Sequence, residues 1–473
     1  MGKTAGAVSL DVRACAADAL VRVLDRGEYT SAVLADFYAA HPDCPARDRA
    51  LYIALVEGTL EQLLRIDYLL NAVSDTPLRK MKPFIRALLR ISAYQILFLD
   101  RIPDHAAVSE AVRIAGHRGF GRLKGFVNGV LRSLIRQKDQ IPLPDRIKAP
   151  EACLSVSYSC PEWIVRTFAV RFGMEKTERI LQASRAKKEL CLWANPVRTT
   201  AEKLAARLAE EGVSARPHPY LSDVLLCGTF ERIEDHPSFR DGDFYIQDPA
   251  SILAVLPALS VLRRQAEAAP AETLRVIDVC AAPGGKSLYL AAHLPQARIS
   301  CRDRTPQKTE KIGQNIRRLH LTHMETMVQD AARLRDEDLQ TADLVIADLP
   351  CSGLGTIGRK PDLTYRLKES DPGELAALQY RILRTAAQYI KPGGYLLYST
   401  CTISREENED QAARISRELL LDPVPLEGLP EEITAASETP AEGYLQLLPE
   451  EAPYHDGFFI SLFQKKTTDT ETT

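Results

Sequence analysis

The stretch Arg275-Val-Ile-Asp-Val-Cys-Ala-Ala-Pro-Gly-Gly-Lys-Ser-Leu-Tyr-Leu290 decides the fold. Val276, Ile277 and Val279 form a short apolar run that predicts a buried strand, and helical spacing begins near Lys286. Between them, Gly284 and Gly285 let the backbone turn sharply and allow a ligand to approach it. Strand, glycine loop and helix in this order hold an adenosine-type ligand at the carboxyl end of a parallel sheet. An acid about 20 residues further on is expected to hold a ribose hydroxyl pair. Asp303 meets that expectation at the end of the next predicted strand, Arg298-Ile-Ser-Cys-Arg302.

Three ligands compete for the loop. NAD would need G-x-G-x-x-G, which is absent. ATP would need G-x-x-x-x-G-K-S, and Gly285-Lys286-Ser287 supplies only its end. Cys280 stands where the first glycine belongs, and Pro283 removes a donor that a phosphate requires. S-adenosyl-L-methionine carries no phosphate and needs only close backbone approach, so it is the expected cofactor.

Outward from this motif, 473 residues leave room for two to four domains at ~100–200 residues each. A composition of 45% hydrophobic and 26% charged residues is that of a globular protein with more than one core. The net charge of −3 excludes a wholly basic nucleic-acid binder, although it averages over unlike segments. Ten cysteines in so long a chain are no disulfide framework, and none lies in C-x-x-C, so no metal site is expected. No apolar run reaches the ~18–20 residues of a membrane span, and the first residues lack a signal-type apolar core. The expectation is a cytoplasmic, monomeric protein with free thiols and no membrane contact.

Residues 1–140 read as an all-helical bundle of six or seven helices, with apolar spacing over Val12–Leu24, Ala50–Leu64 and Phe84–Leu99. From Ile114 to Lys138 there are six Arg or Lys residues and no acid, interleaved with Gly and Phe. Such a run is either a solvated helix face or a set of phosphate contacts; Arg118, Arg122 and Lys124 are the candidates. The pattern Phe126-Val-Asn-Gly-Val-Leu-Arg132 resembles the last helices of the NusB-like antitermination-factor domain, a helical RNA-binding bundle. Residues 141–245 read as a proline-bearing linker and a small α+β segment, with strands at Leu190–Ala194 and Val224–Cys227 and a helix between them. That segment either presents an RNA surface or pads the domain that follows. Residues 246–465 alternate strand and helix as a doubly wound, Rossmann-like α/β domain requires. Tyr444–Leu448 and Phe458–Phe463 are expected to form an antiparallel edge hairpin, and 466–473 a disordered tail.

Two predicted strand ends carry a cysteine: Asp348-Leu-Pro-Cys351 and Ser399-Thr-Cys401. A lone buried cysteine is usually packing. Two at the carboxyl ends of strands in one sheet face the crevice that the glycine loop also faces. A thiolate there suits methylation at carbon 5 of cytosine, a poor nucleophile until a thiolate adds to carbon 6 and makes it an enamine carbon. Asp348 could hydrogen-bond ring nitrogen 3 and the exocyclic amine, with Lys286 supporting the same cluster.

Asp278-Val-Cys-Ala-Ala-Pro-Gly-Gly-Lys286, Asp348-Leu-Pro-Cys351, Ser399-Thr-Cys401, Arg359-Lys-Pro-Asp-Leu363 and Gln247-Asp-Pro-Ala-Ser251 together resemble the motifs of bacterial RNA 5-methylcytosine methyltransferases. With the NusB-like N-terminus, the resemblance narrows to the members that act on 16S ribosomal RNA, free or in a small-subunit assembly intermediate. The resemblance implies Cys401 as nucleophile, Cys351 as the thiol that assists release, and Asp348 and Lys286 as their polar partners. It also implies a cofactor site over Cys280, Ala281, Ala282, Pro283, Gly284, Gly285, Lys286, Asp303, Asp330 and Asp348. One departure is Leu349, where the family has Ala. Spacing alone does not choose the nucleophile, since DNA cytosine methyltransferases use the cysteine after Pro. Two other readings stay open from the residues: a P-loop ATPase, which leaves both cysteines unexplained, and a non-catalytic RNA-binding factor carried by the basic bundle.

Overall fold

The structure is a computed structural model that describes residues 10–186, 189–228, 230, 232–435, 439–449 and 455–467. The chain divides into two compact units, Met1–Arg185 with Ile357–Glu369, and Ala186–Thr356 with Ser370–Thr473. Of the tail expected from 466 onward, residues 468–473 lie outside the described residues.

In the first unit the NusB-like portion consists, among the described residues, of seven α-helices between Val12 and Gln137. The first, Val12–Arg26, starts where the Asp11 carboxylate accepts the Ala14 N–H at 3.1 Å and stops at Gly27, whose φ is 72°. Helix Pro83–Phe98 forms the middle of the bundle, with Leu88, Leu89, Ile91 and Ala93 wholly buried against Leu20, Leu55, Ile66 and Leu131. Helices Pro150–Tyr158, Glu162–Phe172 and Met174–Arg185 continue this unit. The segment after residue 141 is therefore divided: the three helices up to Arg185 belong to the first unit, and the strands, with helix Ala201–Glu210, to the second.

A later stretch of chain also folds into the first unit. Within Ile357–Glu369, the Asp362 carboxylate accepts the Thr30 N–H at 3.2 Å, the start of helix Thr30–Ala40. The Tyr365 hydroxyl lies 2.9 Å from the carbonyls of both Leu60 and Ser159, and the Arg366 guanidinium lies 3.8 Å from the Tyr29 ring centroid. Gly358 comes so close to helix Met174–Arg185 that a Cβ there would lie 1.7 Å from the Ser184 carbonyl oxygen.

The second unit contains two sheets. The smaller has the order β2-β3-β1-β4, with β1 Leu190–Ala194, β2 Ala215–Pro217, β3 Val224–Cys227 and β4 Phe244–Ile246. Its strands are antiparallel, and Leu204 and Leu208 of helix Ala201–Glu210 pack over Leu192, Leu225 and Phe244. The larger runs β10-β12-β9-β8-β5-β6-β7, with β11 also paired to β12. Its strands are β5 Leu274–Asp278, β6 Ala297–Asp303, β7 Met324–Val328, β8 Ala342–Asp348, β9 Ile390–Thr400, β10 Leu421–Pro423, β11 Tyr444–Leu447 and β12 Phe458–Lys465. Strands β5 to β9 are parallel, while β12 runs antiparallel to β9, β10 and β11, forming the edge hairpin with β11. The winding direction reverses between β5 and β8, and ligands of open α/β sheets sit at the carboxyl ends beside such a reversal.

Candidate active site

Strand β5 leaves the sheet at Asp278, which is 2% exposed. Its Oδ2 accepts the Ser287 hydroxyl at 2.6 Å and its Oδ1 the Cys280 N–H at 3.3 Å, tying both ends of the glycine loop to the strand. Burial pushes the Asp278 pKa up to about 7. The rest of the loop is held by backbone: the Ala281 N–H donates to Arg302 O at 2.8 Å, and the Gly284 N–H to Ala281 O at 2.6 Å. Gly284 has φ 110° and ψ −6°, a conformation that suits glycine alone. A Cβ at Gly285 would lie 3.0 Å from the Gln247 amide. Burial also pushes the Cys280 thiol well up, which marks it as an unreactive lining group.

The loop's bond to Arg302 sets it beside the end of β6, where Asp303 follows with 5% exposure and Lys308 Nζ 3.4 Å from its Oδ1. Asp330 lies just beyond β7, more open, its Oδ1 accepting the Ala332 N–H at 3.0 Å. A tight glycine loop without an anion nest, next to a carboxylate at the neighbouring strand end, fits S-adenosyl-L-methionine. Asp303 would hold the ribose hydroxyls, and residues Cys280 to Gly285 would border the adenosine and methionine portions.

The ends of β8 and β9 adjoin, with Asp348 and Ser399 in register. Lys286 Nζ, carried in by the helix Gly285–His293, donates to Asp348 Oδ2 at 2.6 Å and to Ser251 Oγ at 3.1 Å. It also lies 4.7 Å from the Phe458 ring centroid. The Ser399 hydroxyl donates to Asp348 Oδ1 at 2.9 Å. Behind Ser251 the chain of bonds continues: Gln247 Nε2 donates to Ser251 Oγ at 3.0 Å, and buried Trp193 Nε1 to Gln247 Oε1 at 2.9 Å. Beyond this pair, the sulfurs of Cys351 and Cys401 approach to 3.3 Å. The bond to Cys401, together with burial, holds Cys351 well above the ordinary thiol range, and either sulfur can donate in the pair.

A polar network underlies both thiol loops. Glu407 accepts the Ser352 N–H at 2.9 Å, the Ser352 hydroxyl at 2.5 Å and Gln379 Nε2 at 3.0 Å. The Ser352 and Thr402 hydroxyls share a bond of 2.8 Å, and the Gly355 N–H donates to Cys401 O at 3.1 Å. Ser352, Thr402, Gln379 and Glu407 have no exposed surface.

The geometry thus brings Cys401, Cys351, Asp348 and Lys286 together and sets the glycine loop, Asp303 and Asp330 along the same carboxyl edge. Ser251 and Gln247 were visible only as part of a motif, and Ser399, Ser352 and Glu407 carried no individual signal. Glu407 sits in the run Glu406-Glu407-Asn408-Glu409, where nothing in the sequence separates the one buried carboxylate from an exposed acidic turn. The basic run of the bundle is only partly available. Arg118 is ion-paired with Asp18 and lies over the Phe84 ring, and Lys138 is 3.7 Å from Asp104. Arg132 and Arg136 bond to neutral Asn128 and Ser133 on their own helix.

A doubly wound sheet whose carboxyl edge carries this loop and these acids defines an S-adenosyl-L-methionine-dependent methyltransferase. Two thiols beside it narrow the class further. Residues 266–464 match the 16S rRNA methyltransferase RsmB/F family, residues 10–136 the NusB family, and residues 160–229 the ferredoxin-like domain of RsmF/B-like methyltransferases. The chain is 36% identical over 463 residues to a probable ribosomal RNA small subunit methyltransferase B of Bacillus subtilis, covering 96% of this chain and 99% of that one. It is 31% identical to the ribosomal RNA small subunit methyltransferase B of Vibrio cholerae, covering 97% and 98%. This protein belongs to the RsmB/F family of 16S rRNA methyltransferases. Among solved structures, PH0851 shares the fold over 97% of this chain and all of its own, with a TM-score of 0.77 at 22% identity. NSun6 from Pyrococcus horikoshii does so over 64% and 98%, with a TM-score of 0.55 at 20% identity.

Proposed function

We propose that the protein methylates carbon 5 of a cytosine in 16S ribosomal RNA through a covalent cysteine–cytosine adduct. The observation that carries this reading is the pair of sulfurs 3.3 Å apart at the ends of adjacent parallel strands, beside the Lys286–Asp348 pair. A methyl transfer to oxygen or to an exocyclic nitrogen needs no thiol, and certainly not two.

Cys401 is the nucleophile. A thiolate there is stabilised by the Cys351 S–H, and its electron pair forms the bond to carbon 6 while the 5,6 π pair moves to carbon 5. Asp348 accepts from the exocyclic amine, and the Lys286 ammonium is the donor toward ring nitrogen 3 for the charge that develops there. When bound, S-adenosyl-L-methionine supplies an electrophilic sulfonium methyl for carbon 5. Once Cys401 is bonded to carbon 6 it no longer holds the Cys351 proton; Cys351 loses that proton to solvent, and its thiolate then takes the carbon 5 proton. The freed pair restores the 5,6 double bond, and the carbon 6–sulfur bond breaks to return Cys401 as thiolate.

The target base must leave its stack to reach this edge, so an exposed or flipped cytosine in a loop is favoured over one in continuous helix. The ten cysteines, none of them in a disulfide, suit a reducing cytoplasm. Among the described residues no helix is long and apolar enough to cross a membrane. Arg122, Arg132 and Arg136 of the basic run have no carboxylate partner among the described residues, and they are assigned to RNA phosphates.

The test separates the two thiols. Cys401→Ala cannot form the adduct and should be inactive without trapping RNA. Cys351→Ala should attack, methylate and stall, leaving protein joined to RNA as a slow band on a denaturing gel that requires S-adenosyl-L-methionine. Trapping by Cys401→Ala and none by Cys351→Ala would reverse the assignment.

A further inference from the structure

Glu407 takes no part in the steps above, yet its carboxylate is completely buried next to the thiols. Among the described residues no cation pairs with it, so its desolvation is offset only by hydrogen bonds. These bonds have a pattern. Oε2 takes the Ser352 N–H and Oε1 the Ser352 hydroxyl, gripping the residue after Cys351 from two sides. Gln379 Nε2, which donates to Oε2, also donates to the Pro350 carbonyl at 3.0 Å, so the residue before Cys351 is held by the same group. The Ser352–Thr402 bond then ties this clasp to the residue after Cys401. On the far side the Tyr398 hydroxyl, in β9 itself, donates to the Glu407 backbone carbonyl.

We infer that Glu407 is a positioning residue for release: it fixes the Cys351 loop relative to Cys401 so that the second thiol reaches the carbon 5 proton of the methylated adduct. The inference rests on the proposed release role of Cys351. Its physical basis is that residues Leu349 to Leu354 form no helix or strand: Leu349 is anchored by its N–H on the Ser399 carbonyl, while the backbone on either side of Cys351 is held by Gln379 at Pro350 and by Glu407 at Ser352. A displacement of about 1 Å at a reacting group can cost on the order of a hundredfold in rate. Cys401, by contrast, directly follows β9, whose pairing with β8 and β12 holds it whether or not Glu407 is present. Attack should therefore survive a change at Glu407 that release does not.

The experiment compares the full chain with Glu407→Gln, Ser352→Ala and Cys351→Ala on a 16S rRNA transcript with labelled S-adenosyl-L-methionine. It reads cofactor affinity, single-turnover methyl incorporation, and the fraction of protein in denaturant-stable adduct. Glu407→Gln turns one acceptor into a donor facing Ser352. It should keep cofactor affinity within about twofold and slow turnover about tenfold or more, the scale of one charged hydrogen bond removed. Adduct should accumulate as in Cys351→Ala, though to a lesser degree. Trapping by Cys351→Ala without trapping by Glu407→Gln, at intact cofactor affinity, overturns the positioning role alone. No trapping by Cys351→Ala overturns the release assignment beneath it. If Glu407→Gln loses cofactor binding altogether, Ser352→Ala decides by the same readout, since it leaves the carboxylate in place and removes one of its bonds. Adduct accumulation there supports the inference, and wild-type turnover refutes it.

Discussion

The two halves of one sheet edge are built differently. After β5 and β6 the glycine loop is shaped by backbone bonds, from Ala281 to Arg302 and from Gly284 to Ala281, with Asp278 as its one buried side-chain tie. After β8 and β9 side chains do most of the bracing: Lys286 bonds Asp348 and Ser251, Ser399 bonds Asp348, and Ser352 bonds Glu407 and Thr402. A cofactor recognised by shape needs a backbone that comes close and stays still. A bond made and broken at one ring carbon needs charges and thiols fixed to within a fraction of an ångström, and only cross-braced side chains supply that. Substitutions in the first half should therefore show in stability or cofactor affinity, and those in the second in rate.

The largest expected effect is on stability, at Asp278. Its folded pKa of about 7 lies above the ordinary 3.8. Between these values the unfolded chain releases a proton that the folded one retains, so stability falls as pH rises through that window and the loss is complete above pH 7. The loss amounts to roughly 4 kcal/mol at most. Asp278→Asn should remove this decline, and urea unfolding at pH 4.5 and 7.5 would measure it. An unchanged pH difference would mean that the carboxyl is ionised in place.

Next comes Lys286→Met, which keeps the bulk but leaves Asp348 without its cation. Single-turnover methyl transfer should drop about 10²–10³-fold, as when a preorganised charge partner is removed, with cofactor affinity little changed. An equal loss in affinity would move Lys286 into the first half and blur the contrast.

Asp303→Ala should do the reverse. Calorimetry should register a loss of roughly 1.5–3 kcal/mol in S-adenosyl-L-methionine binding, while the rate at saturating cofactor stays near that of the unaltered protein. A rate defect at saturation would break the division. The smallest effect serves as a control outside both halves. Arg122→Ala with Arg132→Ala should lower the slope of log affinity against log salt by about 0.7–0.9 for each phosphate left without its cation. Arg118 is not part of that test, because its pairing with Asp18 would confound RNA binding with bundle stability.

What could be read in the sequence follows the same division. Strand, glycine turn, helix and spaced acid are local patterns, so the cofactor half was legible in residues 275–303. Strands such as β1 and β8 also stood out, because their apolar runs are short and bounded. The cysteines were legible because a thiol at a strand end is unusual. Their bracing was not: Ser251 meets Lys286, Ser399 meets Asp348, and Glu407 meets Ser352 only after the sheet has assembled. Periodicity reports which face of an element is buried, and it carries no information about which polar group meets which across dozens of residues. For the same reason, nothing in Pro361–Arg366 announced that its Tyr365 hydroxyl would close on the carbonyls of Leu60 and Ser159.

That excursion, Ile357–Glu369, bears on how the gene can be divided. The chain passes from one compact unit to the other after Arg185, returns after Thr356 and leaves again after Glu369. A single break at residue 185 would yield one fragment whose Thr30 amide lacks Asp362 and whose Leu60 and Ser159 carbonyls lack the Tyr365 hydroxyl. The other fragment would carry those partners with nowhere to seat them. Recombination that exchanged the helical unit for a relative's would meet the same obstacle, since complementary surfaces would arrive from different parents. Fragments split at residue 185 should therefore regain full stability only when both are present.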